Sequence, residues 1–162
     1  MIKKYTYIRL LTYSLLLTCF YSVKAQINIR THLWDNKKQK FIPHIYLSKS
    51  PIPNGFDEND IHYHGGTAIA IEAGLLSKKE IEAVNRQMIE NVRRSGMPSI
   101  GLTIYPAYPE GLFRGGMSKS WIYQNGGDWT WFGGRMIQQL IANGFIKEAY
   151  EEVRPMIDRV IK

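Results

Sequence analysis

Apolar residues recur at three- and four-residue spacing along the second half of the chain, and this pattern predicts helices. Ile81, Val84, Met88, Ile89 and Val92 form one stripe, opened by the capping-box pattern Ser77-Lys78-Lys79-Glu80 and ended near Gly96. Phe132, Met136, Ile137, Leu140 and Ile141 form a second, over Asp128 to Asn143 with Gly144 as its stop. Ile146, Ala149, Val153, Met156, Ile157, Val160 and Ile161 form a third, over Phe145 to Lys162, where Pro155 should kink or break the helix. A shorter helix is expected from Thr67 to Leu75, stopped at Gly74. The segment Gln26 to Asp60 carries no long period. Ile27 to Thr31 alternates apolar and polar, as a short strand would, and Pro43, Pro51, Pro53 and Asn54-Gly55 mark extended loop. Asp57-Glu58-Asn59-Asp60 reads as a solvated acidic turn. Met97 to Ser120 reads as a long loop with a short strand at Ile100 to Tyr105, kept mobile by Gly115-Gly116.

The two helical halves resemble each other. Ile61-His62-Tyr63-His64-Gly65-Gly66-Thr67 echoes Ile122-Tyr123-Gln124-Asn125-Gly126-Gly127-Asp128, and each leads into a helix that stops at a glycine before a second helix. The pattern therefore predicts an all-α chain of two α-hairpins, with the two polar, aromatic loops converging at one end.

The amino terminus changes the reading of composition. Lys3, Lys4 and Arg9 precede an apolar stretch from Leu10 to Tyr21, and Val23-Lys24-Ala25 supplies small residues at the −3 and −1 positions. This is the layout of a secretory signal peptide cut before Gln26, so residues 1–25 are expected to leave and the protein to be secreted or periplasmic, free of the membrane after cleavage. The full chain of 162 residues has 21 basic and 14 acidic residues and a net charge of +7. Removing the four basic residues of the leader leaves +3 on roughly 137 residues, scattered rather than clustered, which excludes a nucleic-acid binder by charge. The single cysteine, Cys19, also lies in the leader, so the mature chain has no disulfide and no thiolate chemistry.

The densest chemistry lies between Tyr123 and Arg135, where thirteen residues hold four aromatics, four glycines, two amides, a carboxylate and a guanidinium. Flat aromatic faces stack on the C–H faces of sugar rings, and neighbouring amides and carboxylates bond the hydroxyls. Tyr123, Gln124, Asn125, Trp129, Trp131 and Arg135 are accordingly candidate carbohydrate-binding residues, with His64 from the first loop. A buried aromatic cluster uses some of the same residues but does not call for polar groups among them. Asp128 is a helix cap, a hydroxyl ligand or a proton donor, and Glu110, in an aromatic loop, is a second candidate acid. Glu72 is expected to pair with a histidine, and Arg135 with Asp128 or Glu72. His62 and His64 have no third ligand nearby, and the chain carries no P-loop, zinc signature or G-x-S-x-G motif, so no metal or cofactor is expected.

Tyr123-Gln124-Asn125-Gly126-Gly127, Trp129 and Gly133-Gly134 before an amphipathic helix resemble the six-hairpin glycosidases, and His62 to Gly74 looks like a neighbouring hairpin. The resemblance covers roughly residues 43–162. It implies part of an (α/α)6 toroid over residues 61–162, preceded by an extended segment over 26–60, and inverting glycoside hydrolysis by two facing carboxylates, for which Asp128 and Glu110 are the candidates. A toroid needs twelve helices and this chain supplies about four, which implies a fragment with little turnover by itself. The alternative is a non-catalytic carbohydrate-binding or interaction module. Either way, apolar faces such as that bearing Ile157, Val160 and Ile161 are expected to drive self-association.

Overall fold

The computed structural model describes residues 24–50, 52, 55–114 and 119–161. Residues 1–23 of the expected leader, Cys19 among them, lie outside the described residues, as do Pro51, Pro53 and Asn54 and the Gly115-Gly116 pair. The chain divides into two compact units, residues 1–34 and 35–162. In the first, residues 24–33 form helix α1 rather than the expected strand. Thr31 Oγ1 donates to the Ile27 carbonyl four residues back, and Ile27 and Ile29 are exposed, so the alternation there has no sheet face to bury.

The second unit corrects the all-α expectation and the partial toroid that went with it. Among the described residues its four α-helices, with α1 the fifth of the chain, are accompanied by two small antiparallel sheets, making a mixed α/β architecture. β1 (Trp34–Asp35) pairs with β2 (Lys40–Phe41), and β3 (His62–Tyr63) pairs with β4 (Ile104–Tyr105), with His62 opposite Tyr105 and Tyr63 opposite Ile104. The helices are α2 (His64–Glu72), α3 (Lys78–Ser95), α4 (Thr130–Ala142) and α5 (Ile146–Ile161). α5 is one helix running through Pro155, so the expected break does not occur.

The need for strands follows from burial. Gly101, Leu102, Thr103 and Ile104 are all buried, and buried backbone groups must find partners. The segment takes one partner on each side. Thr103 accepts from the His64 N–H at 3.0 Å and donates its own N–H to the Gly127 carbonyl at 2.9 Å. Leu102 bridges antiparallel to Asp128, and Gly101 accepts from the Trp129 N–H at 2.7 Å. The two look-alike loops thus flank one central strand, and the helices that follow them, α2 and α4, pack on each other. α4 also packs on α5. The Gly133 backbone lies so close to the strand that a Cβ there would meet the Gly101 nitrogen at 2.9 Å.

α3 is closed at both ends by the expected devices. The Ser77 side chain accepts from the Glu80 N–H while Glu80 Oε2 accepts from the Ser77 N–H, and Gly96 caps the far end at φ 71°. Ile81, Val84 and Met88 of α3 are buried, as are Ala68 and Ile71 of α2, Met136, Ile137 and Leu140 of α4, and Ala149 and Met156 of α5. A second cluster joins Ile61, Ile104 and Tyr108, onto which Ile52, Phe56 and Phe113 pack. Of the stripe on α5, Ile146, Ile157 and Ile161 remain exposed, and the side chain of Val160 lies outside the described residues.

Candidate functional site

The loop before α4 is rigid beneath and aromatic above. Asn125 is 2% exposed, and its side chain makes three bonds inside the protein. Oδ1 accepts from the Tyr108 N–H at 2.7 Å, and Nδ2 donates to the carbonyls of Tyr108 and Lys119, each at 3.2 Å. A tight turn folds back on itself here, with Asn125 N–H donating to Ile122 O and Trp121 N–H to Asn125 O. Gly126 takes φ 88°, as the turn requires. Trp121 and Tyr123 are held in the same left-handed region, at φ 66° and 49°, although neither is a glycine. Such backbone costs on the order of 1–3 kcal/mol per residue. Both side chains are exposed, as are Gln124 and Trp131.

Asp128 lies one residue before the cap position of α4, which Trp129 occupies without a side-chain bond, so Asp128 is not the helix cap. Its carboxylate faces inward, with a side chain 6% exposed. Ser99 Oγ lies 2.9 and 2.7 Å from the two oxygens, and Arg159 Nη1 forms an ion pair with Oδ1. Trp129 is half-buried and sets its ring edge-to-face against Tyr123 at 4.9 Å.

Trp131 and Arg135 lie one helical turn apart. The Arg135 guanidinium sits over the Trp131 ring, 4.7 Å from its centre, and pairs with Glu72 of α2. Glu72 thus has an arginine partner rather than the expected histidine. These residues, with Thr130, Gly134 and Gln138, line a shallow hollow of about 380 Å3. Glu110 is exposed in the loop beyond Tyr108. His64 is 2% exposed and turned toward α3, where its Nε2 meets Asn91 Nδ2 at 3.1 Å. Asn91 Oδ1 already takes a bond from Gln87, so Nε2 is the acceptor and the proton sits on Nδ1, which has no partner among the described residues. Burial, with a smaller push from His62, lowers its pKa to about 3. Trp121, Tyr123 and Gln124 are therefore exposed on the loop and Trp131 on the first turn of α4, Asn125 and Asp128 are bonded to the protein interior, and His64 faces the interior. Among the described residues no group of three or more His, Cys, Asp or Glu side chains gathers as metal ligands.

The expected solvated turn from Asp57 to Asp60 instead holds a buried acid, in a cluster on the other side of Tyr108. Glu58–Asp60 is a single 3-10 turn capped by the Asp57 side chain, and Glu58 is only 7% exposed. Tyr46 donates its hydroxyl to Glu58 Oε2 at 2.6 Å, and Tyr108 donates to Oε1 at 2.7 Å. With the Tyr108 proton so committed, the Tyr63 hydroxyl donates in turn to Tyr108 at 2.5 Å. His44 Nε2 lies 3.3 Å from Oε2. Burial alone would raise the pKa of Glu58, but the bonds from Tyr46 and Tyr108 and the neighbouring His44 outweigh it and hold the carboxyl below its usual range. Tyr108 is pushed the other way, by burial and by its bonds to Tyr63 and Glu58. This group opens into a cavity of about 700 Å3, the larger of the two hollows described here. Only the spacing Phe56-x-Glu58 beside Ile61 hinted in sequence at a buried acid, because its donors come from 12 and 50 residues away.

Compared with known proteins, the chain matches no family model, no curated protein and no solved structure.

Proposed function

We propose that this is an exported carbohydrate-processing protein of the glycoside hydrolase class, and that the surface from Trp121 to Arg135 is where it meets sugar. The observation that carries this reading is the display of Trp121 and Tyr123. Two bulky aromatics are held in left-handed backbone and exposed, at 39% and 49%, on a loop pinned from beneath by Asn125. A loop that only had to fold would place glycine or asparagine at such positions and turn its aromatics inward. Strain of this kind persists where the surrounding structure over-determines it, and it concentrates at binding and catalytic sites. Exposed Trp131, 54% accessible and flanked by Arg135, Glu72 and Gln138, extends the aromatic surface with donors and acceptors for hydroxyls.

A second reading, carbohydrate binding without hydrolysis, is favoured by one specific observation. Asp128 is bonded by Ser99 and Arg159 and faces the interior, so of the two candidate acids only the exposed Glu110 is placed to reach a ligand. Inverting hydrolysis needs two carboxylates, roughly 6.5–9.5 Å apart across the scissile bond.

The test is calorimetric titration of the purified chain with neutral oligosaccharides of the cello-, xylo-, manno- and malto- series, alongside an assay for released reducing ends. Binding weakened at least tenfold by Trp131→Ala or Tyr123→Ala supports the sugar surface. Release of reducing ends selects the hydrolase, and binding without release selects the second reading. Neither binding nor release with any of the four series overturns both.

A further inference from the structure

The cavity over Glu58 has the features of a ligand site and none of the roles so far assigned. Its volume, about 700 Å3, falls within the range of roughly 300–1,000 Å3 common for small-molecule pockets. Its walls include the rings of His44, Tyr46 and Phe56 and the apolar side chain of Ile52, and Asp57 and Glu58 supply its charge. His44 and Tyr46 stand edge-to-face, 4.4 Å between centres, so one ring face is braced by the other's edge. Glu58 is more than nine-tenths buried and held in place by two tyrosine hydroxyls and a histidine.

A carboxylate so arranged is an acceptor with fixed direction. An ionised carboxylate has about four lone-pair sites, and the two tyrosine donors and the His44 contact on Glu58 leave capacity for an incoming donor. A ligand that presents hydroxyl donors beside an apolar C–H face fits such walls. An anionic ligand does not, because no lysine or arginine lines the cavity among the described residues, while two acids do. The site is also tied to the aromatic surface. Tyr108 bonds Glu58 through its hydroxyl and Asn125 through its backbone, so one residue sets the position of both.

We propose that this cavity is a second saccharide subsite, selective for uncharged rings, in which Glu58 accepts hydrogen bonds from ring hydroxyls and the His44, Tyr46 and Phe56 rings pack on the sugar. The inference rests on the carbohydrate reading above, and its test separates the two. Binding of neutral oligosaccharides is measured calorimetrically for the wild-type chain, Glu58→Gln and Trp131→Ala, while the His44 ring carbon–proton signals are followed by NMR during the same titrations. The His44→Gln variant assigns those signals. Expected are saturable shifts of the His44 signals in the wild type, the same shifts at higher ligand concentration in Trp131→Ala, and at least tenfold weaker binding by Glu58→Gln. Uronic-acid oligomers should leave His44 unmoved. Because Glu58→Gln disturbs a buried network, His44→Ala, at the half-exposed mouth, serves as a second variant and should weaken binding at least threefold with unchanged unfolding temperature. Binding that is lost in Trp131→Ala while the His44 signals never move, and that neither His44→Ala nor Glu58→Gln alters, overturns the subsite and leaves the aromatic surface standing. Equal response to uronic-acid oligomers, or stronger response to an alkylammonium ion than to any neutral sugar, overturns the assignment to uncharged saccharides. No neutral sugar binding anywhere on the wild-type chain removes both proposals.

Discussion

The side-chain amide of Asn125 grips the backbone of Tyr108 from both sides, accepting from its N–H and donating to its carbonyl. The grip makes the aromatic loop and the Glu58 cluster parts of one construction. Asn125→Ala should leave the buried Tyr108 N–H unpaired and lower stability by about 2–4 kcal/mol, since each unsatisfied buried group costs roughly 1–3 kcal/mol. Asn125→Asp keeps the acceptor but turns a buried carboxylate oxygen against the Tyr108 and Lys119 carbonyls, so it should cost at least as much as alanine. Chemical denaturation checks the order, and an alanine variant as stable as wild type would show that the grip carries no energy.

Asp128 makes the opposite kind of prediction. Its partners are internal, so Asp128→Asn should act on stability first, costing about 1–3 kcal/mol through the lost ion pair. Arg159→Gln alone should cost at least as much, because it strands a carboxylate whose side chain is 6% exposed, whereas Asp128→Asn leaves behind an arginine that is a third exposed. The double variant should be less destabilised than the two single effects added together. Full thermal stability in Asp128→Asn together with complete loss of any sugar-releasing activity would instead make Asp128 a group acting on substrate.

Gly133 and Gly134 are adjacent in α4 but face different surroundings. A Cβ on Gly133 would meet the Gly101 backbone at 2.9 Å and Met156 Sδ at 2.8 Å, whereas one on Gly134 meets nothing within 4 Å. Gly133→Ala should therefore destabilise by about 1–3 kcal/mol through overpacking. Gly134→Ala should be neutral or stabilising by up to about 1 kcal/mol through helix propensity. Thermal melts of the pair read the contrast directly, and equal melting temperatures would contradict the close approach of α4 to the central strand.

Two histidines make stability depend on pH. Burial lowers His64 to about 3, and burial with the charges of Lys40 and Lys38 lowers His62 to about 4, against about 6.5 for an unfolded histidine. Below pH 6.5 the unfolded chain takes up protons that the folded chain refuses, so stability falls as pH falls through this window and is fully present above it. The slope is up to about 1.4 kcal/mol per pH unit for each histidine. The melting temperature should be level near pH 7–8 and drop from pH 6 to 4, less steeply in His62→Gln. A melting temperature unchanged between pH 7 and 5 would contradict the burial of both rings.

The parts of this molecule legible in sequence are those whose causes are local. α3 announces itself through Ser77, Glu80 and Gly96, and all three act as expected. Asp128 looks like the cap of α4, which begins two residues later at Thr130, and its true partners, Ser99 and Arg159, lie 29 and 31 residues away. Ile27 to Thr31 misled because alternation over five residues carries no information about whether a second strand exists to pair with it. The short strand expected at Ile100 to Tyr105 holds β4, but its partner β3 gives no sign in sequence, since the two are two residues each and exist only by pairing with each other. Glu58 looks like one of four residues in an acidic turn, and beyond its spacing from Phe56 and Ile61 nothing nearby marks it as the one that Tyr46 and Tyr108 enclose.

The central strand also dictates an order of events. α2 ends at Glu72 and α4 begins at Thr130, so their contact joins segments nearly sixty residues apart, and closing that loop loses chain entropy before any packing is gained. Thr103, bonded to His64 on one side and Gly127 on the other, lies between them in sequence as well as in space. It divides one long closure into two shorter ones. The self-capped α3 has the local signals to form early, whereas α2 and α4 find each other only after residues 101–105 have been laid down. Amide hydrogens of Thr103 and His64 should then gain protection during refolding later than those in the middle of α3, which would make the segment from Gly101 to Tyr105 the gate through which α2 and α4 assemble.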